Sequence, residues 1–122
     1  MVNELERLLS NSNSPYDKEC FSCIVVMKDG NTFSGVTVKN SVFRDAIYAE
    51  QAAIARAITS GYKYGDFAEI HIMVSTSNIN DLRHINKDMI VEHFEPSSEV
   101  FLYDINRNSK IMKVGHLIFN IY

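Results

Sequence analysis

Residues 45–62 read DAIYAEQAAIARAITSGY and carry the strongest helix pattern in the sequence. It is a continuous run of good helix formers, with Asp45 placed to cap its start and Gly61 placed to end it. The pattern predicts a helix over residues 46–60.

One carboxylate lies on the apolar side of this predicted helix. Glu50 is three residues from Ile47 and four from Ile54, and Ile58 continues the same stripe. Burying a lone carboxylate is costly, so such a group is normally paired, bound to a metal or placed where its proton is used. Alternatively, Glu50 is hydrated near the helix start and is favoured only by the helix dipole. The spacing leaves both interpretations open.

Length, charge and hydropathy restrict the class of protein. A chain of 122 residues with 46% hydrophobic content fits one globular domain. The net charge of −3, with both signs mixed, argues against a surface for nucleic acids. The first residues, MVNELERLL, carry charges where a signal peptide is apolar, and no apolar stretch approaches membrane-spanning length. We expect a cytoplasmic protein with neither a nucleic acid nor a membrane as partner.

Cys20 and Cys23 form a C-x-x-C motif, a spacing used by zinc and redox sites. The surrounding segment CFSCIVVM reads as a strand, in which residues three apart point to opposite faces. The two sulfurs therefore cannot easily share a metal or close a disulfide. We expect two reduced, packed thiols, with a redox role as the alternative.

The remaining patterns predict a sheet flanked by helices. Asp29-Gly30 suits a hairpin turn between the first two strands, and INRNS is too short for a crossover between the last two, so both pairs should be antiparallel. The third and fourth strands, joined through a helix, should be parallel. His71 in the third strand is expected to be a packed or edge histidine. We predict an α/β fold with three α-β-α layers around a mixed five-stranded sheet. The predicted elements are helices over 3–9, 46–60 and 86–94, and strands over 21–28, 32–38, 67–76, 99–104 and 110–114.

Three segments resemble the cytidine deaminase family. SPYDKEC, KDGNTFSGVTVKNS and AIYAEQAAIARAITSGY follow the order and spacing of the family stretches SPYSKFPVGAAL, EDGKIFTGCNVENAS and CAERTAIFKAISEGY. The sequence likeness covers residues 14–62, and after that only length and element order agree. The resemblance implies one cytidine deaminase-like domain over residues 1–122. In that family a zinc-activated water attacks C4 of cytosine while a glutamate moves the proton.

The resemblance also assigns the catalytic positions. Glu50 corresponds to the proton-shuttling glutamate, and the three zinc-binding cysteines correspond to Tyr48, His84 and Lys87. A phenol is a poor zinc ligand at neutral pH, and one imidazole cannot hold an ion that needs three or four protein ligands. The arginine that balances the thiolate charge in the family is Gln51 here. These differences imply that zinc is lost, that the protein has no cofactor and that Glu50 is vestigial.

The substrate-binding positions of the family differ as well. The asparagine and glutamate that hold the ribose correspond to Thr37 and Lys39, the phenylalanine near the pyrimidine corresponds to Glu19, and Asn40 is retained. A plain nucleoside is therefore not the expected ligand. Lys39 would suit a phosphate or carboxylate, unless it is a solvated lysine at a strand end.

We accordingly expect an inactive cytidine deaminase-like protein that serves as a small-molecule-binding or assembly subunit. The family builds each active site from several subunits, so the resemblance implies a homo-oligomer, either a tetramer or a dimer. Without zinc, Glu50 should accept a hydrogen bond from Tyr48 or His84, or take up a proton. One alternative is an active hydrolase that deaminates a cytidine-like nucleoside with His84 and Asp88 or Glu92 as metal ligands. Another is an unrelated small α/β protein.

Overall fold

The computed structural model describes residues 1–12, 20–39, 46–76, 79 and 85–117. Within these residues, helices and strands occur in the predicted order. They are α1 (Val2–Leu9), β1 (Phe21–Met27), β2 (Thr32–Val36), α2 (Ala49–Thr59), β3 (Phe67–Val74), α3 (Lys87–His93), β4 (Glu99–Tyr103), β5 (Ser109–Lys113) and α4 (Val114–Leu117).

The five strands form one mixed sheet in the order β2-β1-β3-β4-β5. β3 and β4 are parallel, whereas the β1–β2, β1–β3 and β4–β5 pairs are antiparallel. β3 is the central strand, and residues 70–74 are buried although their side chains alternate between the two faces. The predicted sheet and its strand directions are confirmed.

Each face of the sheet carries its own hydrophobic core. The helices α2, α3 and α4 pack on one face, and α1 packs over β2, β1 and β3 on the other. The predicted three-layer α-β-α architecture is therefore confirmed. The first core includes Ile54, Ile72, Ile90, Leu102 and Leu117. The second consists of Leu5, Leu8, Ile24, Met73 and Tyr103.

The start of α2 lies later than predicted. Ile47 pairs with Val38 through two backbone hydrogen bonds, of 3.0 and 2.7 Å, and this bridge keeps residue 47 extended. Tyr48 is the N-cap residue, with φ −78° and ψ 149°, so the prediction that Asp45 caps the helix is wrong. Asp45 itself lies outside the described residues. β2 ends at Val36, two residues before its predicted end at residue 38. The bridge at Val38 lies beyond the end of the strand.

Only part of the predicted isoleucine stripe of α2 is buried. Glu50 and Ile54 are buried as expected, but Ile47 and Ile58 are 43% and 44% exposed. The helix lies so close to the sheet that mainly alanine side chains fit between them. The buried residues of α2 are Ala49, Glu50, Ala53, Ile54 and Ala57.

Gly35 in β2 is the point of closest approach. A Cβ atom added there would lie 2.6 Å from the backbone nitrogen of Ala53 and 2.8 Å from the Cβ of Ala52, and it would also strike the carbonyl oxygen of Ala49. Backbone atoms cannot move aside as a flexible side chain can. Only glycine is therefore compatible with this strand–helix distance.

The end of α2 follows the prediction. Gly61 adopts a left-handed φ of 104°, and its N–H donates to the carbonyl of Ile58 at 3.0 Å. The N–H of Tyr62 donates to the carbonyl of Ala57 at 3.1 Å. This pair of bonds is a Schellman motif, so Gly61 terminates the helix as expected.

The C-terminal elements contain one feature that the sequence did not indicate. The four residues of α4 follow β5 directly, anchored by hydrogen bonds from the N–H groups of Val114 and Gly115 to the carbonyls of Ser98 and Pro96. A helix this short has no propensity signal, so its partners on the neighbouring loop define it. Within the described residues, no helix is long and apolar enough to span a membrane.

Replacing Gly35 by alanine should destabilise the protein by about 3 kcal/mol or more, because the added methyl group overlaps helix backbone. Gly30→Ala is the matched control. Gly30 has a φ of 91° but no atom within 4 Å of an added Cβ, so only backbone strain of about 1 kcal/mol is expected there. Urea denaturation of both variants measures the difference. Equal losses would show that close packing at Gly35 is not the constraint.

Candidate functional site

The candidate site is built around Glu50 in the first turn of α2. Its side chain is completely buried between the helix and the sheet. The Oε1 atom accepts a hydrogen bond from the backbone N–H of Asn86, whereas Oε2 has no partner among the described residues. The interpretation of Glu50 as a hydrated residue at a helix end is therefore wrong, and the buried interpretation is correct.

Asn86 holds Glu50 from the start of α3. Its side-chain Oδ1 accepts the N–H of Met89 at 3.2 Å, so Asn86 caps α3 while its own N–H points at Glu50. The predicted helix over residues 86–94 included Asn86, whereas in the structure Asn86 precedes α3 and makes a contact that was not predicted. Asparagine is strongly preferred at N-caps, so its position before a predicted helix was the available signal.

Burial dominates the electrostatics of Glu50. Loss of water raises its pKa from 4.5 to about 7, and the N–H groups of Asn86 and of Glu50 itself offset part of that rise. The neighbouring thiol of Cys23 is also fully buried. Its burial, together with the charge of Glu50, raises the pKa of Cys23 well above the ordinary value. The site therefore combines a neutral thiol with a carboxyl group that gains and loses its proton near neutrality.

Tyr48 and Gln51 stabilise the start of α2. The Oε1 atom of Gln51 accepts the backbone N–H of Tyr48 at 3.3 Å, which is the N3-to-N-cap half of a capping box. The prediction that Tyr48 donates a hydrogen bond to Glu50 is wrong. The other predicted donor, His84, lies outside the described residues.

Two of the three expected zinc positions, Tyr48 and Lys87, carry side chains that do not suit zinc, and the third, His84, lies outside the described residues. Lys87 begins α3 and carries an ammonium group, which offers no lone pair to a metal. Asp88 and Glu92, the alternative ligands, are both exposed on α3. In the described part of the chain, no group of three or more histidine, cysteine, aspartate or glutamate residues is placed to hold a metal ion.

Two of the predicted substrate-binding residues, Thr37 and Lys39, belong to the described part of the chain. Thr37 is buried. Its hydroxyl accepts a hydrogen bond from the N–H of Phe21 at 2.9 Å and donates one to the carbonyl of Phe21 at 3.3 Å. These bonds join β1 to the chain that follows β2. Lys39 is 8% exposed, and the solvated lysine considered as an alternative is therefore wrong. Glu19 and Asn40 lie outside the described residues.

The C-x-x-C motif does not add a second site. Both cysteines are free, and Cys23 packs into the larger core while Cys20 precedes β1. Cys20 donates its backbone N–H to the hydroxyl of Ser75 at 3.0 Å. The two residues therefore occupy separate environments, as the strand interpretation predicted.

Comparison with known proteins identifies the fold as cytidine deaminase-like. The chain is 22% identical to cytidine deaminase of Mycoplasma genitalium over 120 residues, which cover 98% of this chain and 91% of the relative. This match confirms the resemblance inferred from residues 14–62. No model of a known protein family matches the sequence.

Solved structures agree with this assignment. Cytidine deaminase from Burkholderia pseudomallei superposes with a TM-score of 0.87 at 23% identity, covering 95% of this chain and 91% of that one. The enzyme from Mycobacterium leprae gives 0.69 at 18% identity and covers 96% of each chain. At these identities the match establishes the fold, and it excludes the alternative of an unrelated α/β protein.

Replacing Glu50 by glutamine should make stability less dependent on pH. Because the pKa of Glu50 rises on folding, its protonated form stabilises the fold below pH 4.5, and that contribution is lost as the pH rises through about 7. Between about pH 4 and pH 8 the wild type should lose about 3 kcal/mol relative to Glu50→Gln, measured by urea denaturation.

Glu92→Gln, on the exposed side of α3, is the matched control for this experiment. A loss of more than ~2 kcal/mol in Glu50→Gln at every pH would contradict the expectation. It would mean that the ionised carboxylate has a strong charge-assisted partner.

Proposed function

We propose that this chain is a cytidine deaminase-like protein that does not hold zinc, is inactive as a deaminase and serves as a small-molecule-binding or assembly subunit. The observation that carries the proposal is the environment of Glu50. Its carboxyl is buried, one oxygen is bound by the backbone of Asn86, and the flanking residues Tyr48 and Gln51 cap the helix.

The chemistry of deamination supports the absence of activity. A zinc-bound water has a pKa near ~7, so it supplies hydroxide at neutral pH, whereas bulk water does not. General acid–base help from a carboxyl contributes typically ~10²–10⁴-fold, far below an enzymatic acceleration of ~10⁶-fold or more. Glu50 alone therefore cannot replace the missing metal.

The same environment suits binding. A carboxyl group with a pKa of about 7 presents either a hydrogen-bond donor or an acceptor at Oε2, and the surrounding core excludes water that would compete for it. A neutral ligand with a complementary polar group would satisfy this atom once the packing around the completely buried side chain opens to admit it. Lys39 is buried and already has an interaction partner. A phosphate or carboxylate would therefore bind there only by displacing that partner.

Purified protein should contain no stoichiometric zinc and should not release ammonia from cytidine, deoxycytidine or blasticidin S. Elemental analysis and an ammonia assay measure these two properties. About one zinc per chain, or ammonia release that Glu50→Ala abolishes, would instead support the active hydrolase with unusual ligands.

A graded rescue tests the alignment behind the proposal. Replacing Tyr48, His84 and Lys87 by cysteine, with Gln51→Arg to balance the thiolate charge, should restore zinc binding. Deaminase activity should still be absent until the substrate positions are also restored by Thr37→Asn and Lys39→Glu. Failure of the first set to bind zinc while the protein stays folded would show that the second motif is misaligned.

We further propose that the chain forms a homo-oligomer, a tetramer or a dimer, through the outer side of α2. Ile58 on α2 is exposed, and so is Ile47, which lies two residues before the helix. The small side chain of Ala55 is exposed on the same helix and would let another helix approach closely.

Light scattering at micromolar concentration should give a particle larger than the 13.9 kDa chain. Ile58→Glu should shift the particle toward that mass, because a charge would enter the apolar contact. Tyr64→Glu is the control, since Tyr64 is more exposed but lies outside α2. A wild-type particle of only 13.9 kDa would contradict the proposed assembly.

A further inference from the structure

A second polar cluster lies on the opposite face of the sheet, away from Glu50. His71 in β3 is 5% exposed, and both ring nitrogens have partners. Its Nδ1 lies 3.0 Å from the hydroxyl of Tyr103 in β4, and its Nε2 lies 2.9 Å from Oε1 of Glu69. The ring of Phe101 stacks on the imidazole with centroids 4.3 Å apart. We call Glu69, His71 and Tyr103 the imidazole cluster.

The partners of His71 define where its proton lies. The carboxylate of Glu69 only accepts hydrogen bonds, so Nε2 of His71 carries the hydrogen that is donated to it. In the neutral ring Nδ1 is then an acceptor, and the Tyr103 hydroxyl must be its donor. With this arrangement all three groups are satisfied at once.

The order phenol, imidazole, carboxylate resembles that of an activated nucleophile with its base and orienting acid. The surroundings do not support that use. Tyr103 is only 9% exposed, and burial together with the charge of Glu69 raises the pKa of its phenol. A phenol that holds its proton more tightly and faces the core is a poor nucleophile.

We propose that the imidazole cluster is a proton-operated switch, in which protonation of His71 reverses its hydrogen bond to Tyr103 and loosens α1 from the sheet. A protonated imidazole donates from both nitrogens, so Nδ1 would donate to the Tyr103 oxygen. The hydrogen of that hydroxyl then needs another acceptor. Among the described residues the hydroxyl of Tyr103 bonds only to His71. The proposed switch assigns the role of acceptor to water, which the hydroxyl reaches by a shift of the ring.

Tyr103 is the mechanical link to α1. Its ring belongs to the core that α1 closes with Leu5 and Leu8. The next residue, Asp104, is buried and accepts the N–H groups of the β4–β5 turn. Arg107 in that turn donates to Glu6 and Asn3 of α1, each at 2.7 Å. A displacement of Tyr103 therefore acts on α1 through its apolar contacts and through this turn.

The other charged groups on this face do not substitute for Glu69. Glu99 in β4 lies between Glu69 of β3 and Lys113 of β5 in the strand register. On the other side of β3, the residue of β1 opposite His71 is the apolar Ile24. On α1, charges are engaged elsewhere. Glu4 pairs with Arg7, and Glu6 pairs with Arg107.

Amide exchange in the intact chain tests the proposal. The ring nitrogen shifts of His71 report its tautomer and its titration, and protection factors corrected for intrinsic exchange report the attachment of α1. The expected result is an Nε2–H tautomer at high pH and a loss of α1 protection of about tenfold as His71 gains its proton. The measurement is made in the Glu50→Gln background, which removes the titrating group at the start of α3, so the amides of α3 should keep their protection and serve as the internal reference.

Two variants separate the switch from a general loss of stability. In Tyr103→Phe there is no hydroxyl to reverse, so α1 protection should no longer follow the titration of His71. In Arg107→Ala, α1 should be less protected at every pH while the pH-linked change remains. An Nδ1–H tautomer at high pH, unchanged α1 protection through the His71 titration, or the full pH-linked change in Tyr103→Phe would each overturn the proposal.

Discussion

The position of α2 on the sheet is set by its backbone contact with β2 at Gly35. Because the strand and helix touch without an intervening side chain, α2 presents mainly alanine to the sheet. The only long side chains accommodated on that side are those of Glu50 and Ile54, next to the core. The burial of Glu50, and with it the raised pKa, follows from a helix position that a glycine permits.

The sheet could be predicted because its signals are local. Alternating apolar residues, the Asp29-Gly30 turn and the short connection between β4 and β5 define strands and directions without long-range information. The start of α2 could not be predicted in this way. The Val38–Ile47 bridge extends residue 47, and only a contact with the chain after β2 reveals it. Similarly, the exposure of Ile58 results from where the helix lies on the sheet, since its helical spacing from Ile54 is that of a buried residue.

For the candidate site, the sequence identified the residue but not its partner. An apolar stripe containing one carboxylate was sufficient to single out Glu50. Its hydrogen bond comes from a backbone N–H, which every residue except proline possesses, so no residue type marks it. The family resemblance supplied the expected positions of Tyr48 and Lys87, whereas the capping role of Gln51 became clear only from the helix start observed here.

The contact between Glu50 and Asn86 also has a kinetic aspect. The two residues are 36 positions apart, and β3 lies between them in the chain. We expect Glu50 to lose its last water when the start of α3 docks, because the N–H of Asn86 is its hydrogen-bond donor in the folded chain. Contacts between distant residues carry a larger loop-closure entropy than local ones, so this docking should come late in folding. Uptake of a proton by Glu50 near neutral pH therefore accompanies the docking of α3, so the acidity of the medium should act on the last step of assembly and on the first step of unfolding.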